Sequence, residues 1–261
     1  MQQSQIDNVQ HKLKHNNDMQ PIETTSSPNN GNTVVSGSPF KVLNLYACLG
    51  GNRYKWDEVA NIEVTAVELD AESARLYQER FPNDKVVVAD AHQYLLDHYK
   101  EFDFIWSSPP CPSHSRVKFS QKNRENTKPY YSEMTLYQEI IFLDNFFDGK
   151  YCVENVIPYY EPLISAKKRG RHLYWTNFNL PNELSKRDNI SGLINKDDYA
   201  AIKKLCDFHD YDFFKYKGEQ RRSKMARNLV DYEAGKTIFA TALGVILKSN
   251  VKQPNLFEGV I

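Results

Sequence analysis

Apolar residues crowd into short runs at KVLNLYA (41–47) and IEVTAVELD (62–70), and each run stops at polar or glycine-rich positions. Runs of that length bounded by turn signals predict strands. The same reading gives strands at KVVVADA (85–91), FDFIWSS (102–108), YCVENV (151–156) and RHLYWTNF (171–178). Between the second and third strands, AESARLYQERF (71–81) carries apolar residues at helical spacing, with Pro82 just past its end as a helix stop. Helices are also expected around 132–147 and 233–248. Residues 1–38 are rich in Gln, Asn, Ser and Thr and read as a disordered polar arm. Residues 179–222 look irregular, either a small insert or a long connection. Strands alternating with helices predict an α/β fold with a doubly wound, mostly parallel sheet.

Composition narrows the function classes. Lys and Arg number 33 against 33 Asp and Glu, so the chain does not coat nucleic acid by bulk positive charge. Its basic residues are nevertheless clustered: Arg116, Lys118, Lys122, Arg124 and Lys128; Lys167, Lys168, Arg169 and Arg171; and Lys215 to Arg227. Such local patches can hold a phosphate backbone, or can simply be solvated faces. The four cysteines (Cys48, Cys111, Cys152, Cys206) form no CxxC pair, which predicts reduced thiols, an intracellular location and no metal site. No apolar run reaches the roughly 18 residues of a membrane span, and the polar start shows no signal-peptide core.

Candidate chemistry gathers at the predicted strand ends, where open α/β sheets bind ligands. LYACLGGN places Gly50 and Gly51 after the first strand, Glu68 ends the second and Asp90 the third. A glycine loop followed by two acids on successive strand ends suggests a nucleoside-containing cofactor. The full GxGxxG and the P-loop pattern are both absent, which disfavours NAD and ATP. After the fourth strand, Pro109 and Pro110 end the ladder and present Cys111 on a stiff turn.

Taken in order, LYACLGG, VELD, ADA, SSPPC, VENV and RGR resemble the motif series of the DNA cytosine-5 methyltransferases, especially the short phage and restriction–modification forms. The resemblance spans about residues 41–175, with a partial echo at RNLV (227–230). Its most specific element is SPPC followed about 40 residues later by a strand-borne ENV. It implies a Rossmann-like, S-adenosyl-L-methionine-dependent methyltransferase whose cofactor contacts fall at Tyr46, Gly50, Gly51, Glu68, Asp90, Pro109 and Asn228. It further implies that Cys111 attacks C6 of a flipped-out cytosine, that Glu154 holds the ring N3 edge, and that Arg171 contacts the base. Asn155, Ser113 and Arg169 would support the site. The Cys111 pKa must then fall, with Arg171, the cationic loop and His114 as candidates for lowering it, although His114 also reads as a plain polar turn residue.

On this resemblance residues 39–178 are the core, 179–226 a target-recognition region and 227–261 a closing helix that returns to the core. Residues 112–130 form a loop that could close over DNA. Double-stranded DNA is the expected partner of a monomeric cytoplasmic enzyme, bacterial or phage-encoded, with a restriction endonuclease as a further partner. Pro112 stands where the family carries glutamine, and Cys48 where it carries glycine. Three other readings fit the same residues: an RNA cytosine-5 methyltransferase, an amino-methyltransferase with its S-P-P signature, and an inactive DNA-binding relative.

Overall fold

The computed structural model describes residues 38–120, 131–187 and 196–246. The predicted polar arm, most of the loop after the Cys111 turn and the end of the closing segment lie outside the described residues.

Among the described residues seven strands form one sheet: β1 (Phe40–Leu45), β2 (Ile62–Glu68), β3 (Lys85–Val88), β4 (Phe104–Ser107), β5 (Lys150–Val156), β6 (Lys167–Arg169) and β7 (His172–Thr176). Their spatial order is β3-β2-β1-β4-β5-β7-β6. The first five are parallel, while β7 runs antiparallel to both β5 and β6. A parallel pair needs a crossover, and the chain supplies α1 (Ala71–Arg80), α2 (Ala91–His98) and α4 (Thr135–Phe146); a four-residue turn, α3 (Arg116–Phe119), precedes α4. The strand order reverses between β1 and β4, the switch point at which open sheets place their ligands.

Alternation along the strands sorts the core into two faces. Leu43, Leu45, Val67, Ile105, Val153, Leu173 and Trp175 pack against α2 and α4. Val42, Val64, Phe104, Trp106, Cys152 and Tyr174 pack against Trp56 and α7 (Tyr232–Ala242) through Ile238 and Phe239. Both sheet faces are therefore covered, which is why β1, β4 and β5 read as apolar runs rather than alternating ones.

Two expectations need correction. The stretch 179–222 holds helix α5 (Tyr199–His209) and a 3-10 turn at Phe213–Lys215, with α6 (Arg222–Asn228) closing the region. Asp198 caps α5 by accepting the Ala201 N–H, and Ala201, Ile202, Leu205, Cys206 and His209 are its buried stripe. That stripe packs with Leu49 and Leu76, so the region adheres to the α1 flank. The second concerns Cys48, which stands where the family carries glycine. It lies in the turn after β1 with φ 48°.

Candidate active site

The Cys111 turn is held at both ends. Trp106 Nε1 donates to Ser108 Oγ at 2.9 Å, and Asn155 Nδ2 donates to the Pro109 carbonyl at 2.9 Å. Asn155 is 2% exposed, and its Oδ1 accepts the Val156 N–H at 2.9 Å, so both ends of its amide are committed. The Cys111 carbonyl accepts the N–H groups of His114 and Ser115, each at 3.1 Å. Ser113 then fastens this turn to the start of α4, its Oγ accepting the Glu133 N–H at 3.0 Å. Arg116 Nε donates to the Pro158 carbonyl at 3.1 Å.

His114 is not a surface turn residue. It is 1% exposed, and its Nδ1 pairs with the Tyr160 hydroxyl at 2.5 Å. Burial lowers its pKa, which disfavours the charged ring that would assist Cys111.

Glu154 reaches the same end of the sheet from β5. In register it faces Tyr174, and period-2 alternation puts His172 on that same face. His172 Nε2 stands 3.6 Å from Glu154 Oε1. Arg171 sits instead in the exposed β6–β7 turn after Gly170, with no hydrogen bond or ion pair to Glu154 or Cys111 among the described residues. Arg169 is spent on the chain itself, its guanidinium donating to the carbonyls of Pro181, Leu180 and Lys168. Lys167 is spent likewise, on Thr176 and Phe178. Lys167 and Arg169 of this basic cluster thus fasten the segment after β7, while Lys168 and Arg171 are exposed.

The Cys111 thiol is pushed up, first by burial and then by the Glu154 carboxylate, against a smaller pull from Arg227 and Lys224 of α6. The expected fall is thus not what this arrangement produces. A carboxylate beside a half-buried thiol disfavours a second negative charge. The compensating cations come from α6, not from Arg171 or His114. Nothing local in the sequence signals them, because α6 lies more than a hundred residues beyond Cys111.

The first loop is built by strain and by close packing. Tyr46 (φ 55°) and Cys48 (φ 48°) both occupy the left-handed region. Glu68 stabilises this path, accepting the Cys48 N–H at 2.8 Å and the Asp70 N–H at 2.9 Å on its two oxygens. Burial raises the Glu68 pKa. Gly50 has φ 69°, and a Cβ there would lie 2.3 Å from the Phe81 ring; one on Gly51 would lie 2.5 Å from the Val230 carbonyl. Both glycines thus make room for the protein's own chain, where the sequence suggested room for a ligand. Asp90 caps α2 through Oδ1, which accepts the Gln93 N–H at 2.8 Å, and its second oxygen has no hydrogen-bond donor among the described residues. Leu69, the residue after Glu68, is 69% exposed. An exposed apolar side chain and carboxylates at successive strand ends suit a nucleoside, whose ring is flat and whose edges and sugar donate. Asn228 is exposed at the end of α6, next to the Leu229–Val230 segment that covers Gly51.

Residues 40–156 match the family model for C-5 cytosine-specific DNA methylases, just under half of the chain. That stretch includes Cys111 and Glu154 and stops before Arg171. No curated protein matches the sequence. Among solved structures, a DNMT2 mutant from Spodoptera frugiperda is 25% identical, over 45% of this chain and 35% of that one, with a TM-score of 0.34. The methyltransferase EhMeth of Entamoeba histolytica is 13% identical over 61% of each chain, with a TM-score of 0.36. A putative DNA modification methyltransferase encoded within a prophage of E. coli is 13% identical, over 60% of this chain and 54% of that one, with a TM-score of 0.37. The chain thus spans about a third of the first structure's length and about three fifths of the second's.

Proposed function

We propose that this chain methylates C5 of cytosine in double-stranded DNA with S-adenosyl-L-methionine. One observation carries the reading: within the family-matched segment, Asn155 of the ENV strand hydrogen-bonds the proline turn that presents Cys111, and so brings Glu154 and the thiol to one place. The cofactor, when bound, supplies an electrophilic methyl group. Glu68, Asp90 and the exposed Leu69 would hold its nucleoside part at the ends of β2 and β3. Tyr46 and the Gly50–Gly51 loop would flank it.

In this mechanism the Cys111 thiolate adds to C6 of a flipped-out cytosine, forming the S–C6 bond while the C5–C6 π pair moves to C5. Glu154 shares a proton with ring N3 and so drains the charge that develops on attack. After C5 takes the methyl group, its proton passes to solvent, the S–C6 bond breaks and the C5–C6 double bond re-forms. His172 would orient Glu154, and Arg227 and Lys224 would offset the thiolate charge. Residues 179–226 would read the target. They include an open cleft of about 630 Å³ lined by Lys217, Gln220, Arg221 and Arg222, with Asp197 3.6 Å from the Arg221 guanidinium, and its cationic groups suit phosphates and base edges.

The test is a nucleoside mass analysis of mixed-sequence double-stranded DNA after incubation with the protein and cofactor bearing a labelled methyl group. Label is expected in 5-methyldeoxycytidine. A Cys111→Ser variant is expected to lose turnover and keep DNA binding. Label in N4-methylcytosine or N6-methyladenine, label only in RNA, or undiminished methylation by the variant would overturn the proposal.

A further inference from the structure

Glu139 lies on α4 with no exposed surface and has no part in the chemistry just described. Three donors converge on its carboxylate. The Tyr46 hydroxyl donates to Oε1 at 2.6 Å, and Ser107 Oγ donates to Oε2 at 2.5 Å. His92 Nδ1 lies 3.2 Å from Oε1. A wholly buried carboxylate is tolerated only with such a donor set. The donors belong to different elements: Tyr46 is the first residue after β1, Ser107 the last of β4, and His92 lies in the first turn of α2.

The two residues at opposite ends of the carboxylate matter most. Tyr46 opens the strained first loop with φ 55°, a conformation that a bulky side chain holds only where its surroundings fix it. Here its ring packs against the α2–α4 core while its hydroxyl is tied to Glu139. Ser107 begins the run Ser107-Ser108-Pro109-Pro110-Cys111, and two prolines make that run stiff, so a shift at its root is passed on to the thiol.

We propose that Glu139 is a positioning residue that couples the two halves of the site, fixing Tyr46 of the first loop and Ser107 at the root of the Cys111 turn through one buried carboxylate. The proposal rests on the reading above for the importance of that coupling to turnover. The link itself is a property of the folded chain.

The readout is the rate at which iodoacetamide alkylates Cys111 in the full-length protein, followed by mass spectrometry, with thermal unfolding as a check of folding. Tyr46→Phe and Ser107→Ala each remove one hydroxyl, and both hydroxyls donate to Glu139. The double variant's rate is expected to differ at least threefold from the product of the two single effects; a product obeyed within 1.5-fold overturns the coupling. Glu139→Gln keeps the geometry, since its amide can donate to Ser107 Oγ while its oxygen accepts from Tyr46, and its rate is expected within twofold of the wild type. Glu139→Leu fills similar space without those bonds and is expected to change the rate at least threefold. If Gln and Leu behave alike, Glu139 is only a filler and the proposal fails. Alkylation needs neither cofactor nor DNA. A failed methyl-transfer assay would therefore refute the proposed function and leave this link standing, while additive alkylation would refute the link alone.

Discussion

Replacing Asn155 by alanine isolates what fixes the Cys111 turn. The wild-type amide donates to the Pro109 carbonyl and accepts from the Val156 N–H, both at 2.9 Å, in a position 2% exposed. Alanine removes both bonds, and Pro109 is itself buried, so its carbonyl loses its partner out of reach of bulk water. Two lost hydrogen bonds, one of them leaving a buried carbonyl unpaired, cost about 2 kcal/mol. For a folded unit of this size that lowers the unfolding temperature by about 4–8 °C. The turn is also freed, and a displacement of the nucleophile by about 1 Å lowers a rate by about 100-fold. Differential scanning calorimetry gives the first quantity and labelled methyl transfer the second. An Asn155→Asp variant sharpens the test, because a carboxylate oxygen would replace the donor 2.9 Å from the Pro109 carbonyl; it is expected to be worse than alanine on both counts. An Asn155→Ala protein that melts within 1 °C of the wild type and alkylates at Cys111 at an unchanged rate would refute the anchoring role.

Glu154→Gln is expected to move two assays in opposite directions. Losing the carboxylate that pushes the Cys111 thiol up should speed iodoacetamide alkylation near neutral pH about threefold, whereas methyl transfer should drop about 100-fold or more with the loss of the proton-sharing group. Faster or equal methylation would remove Glu154 from the mechanism. His209 gives a pH prediction: it is 2% exposed, neither ring nitrogen has a hydrogen-bond partner among the described residues, and burial holds its pKa down at about 3. Because the folded-state value lies below the ordinary 6.5, its stability contribution is present above that pH and is lost as pH falls toward 3. His209→Phe keeps the packing against Phe208 and Phe213 and should flatten the acid limb of the stability curve, by about 1.4 kcal/mol per pH unit across that window. Chemical denaturation of both proteins from pH 7 to 4 checks this, and parallel limbs would refute it.

The sequence alone placed every strand from β1 to β5 within a few residues, and β7 as well. Buried parallel strands are written as short apolar runs with turn signals at their ends, so that signal is local. The proline turn, its cysteine and the ENV strand were legible for the same reason. Helix α5 was there to be read in the stripe Ala201, Ile202, Leu205, Cys206 and His209 with its Asp198 cap, but the aromatic and polar residues around it hid the period. Only the tertiary structure decided which groups meet. Asn155 reaches Pro109 across 46 positions, His172 approaches Glu154 by strand register, and Lys224 and Arg227 face Cys111 from a helix far along the chain. It also decided that Gly50 and Gly51 make room for Phe81 and Val230, and that burial raises the Cys111 pKa. Local pattern reports what each segment buries. Partners, charge neighbours and desolvation depend on contacts between segments distant in sequence, and those exist only once the sheet and its returning helices have packed.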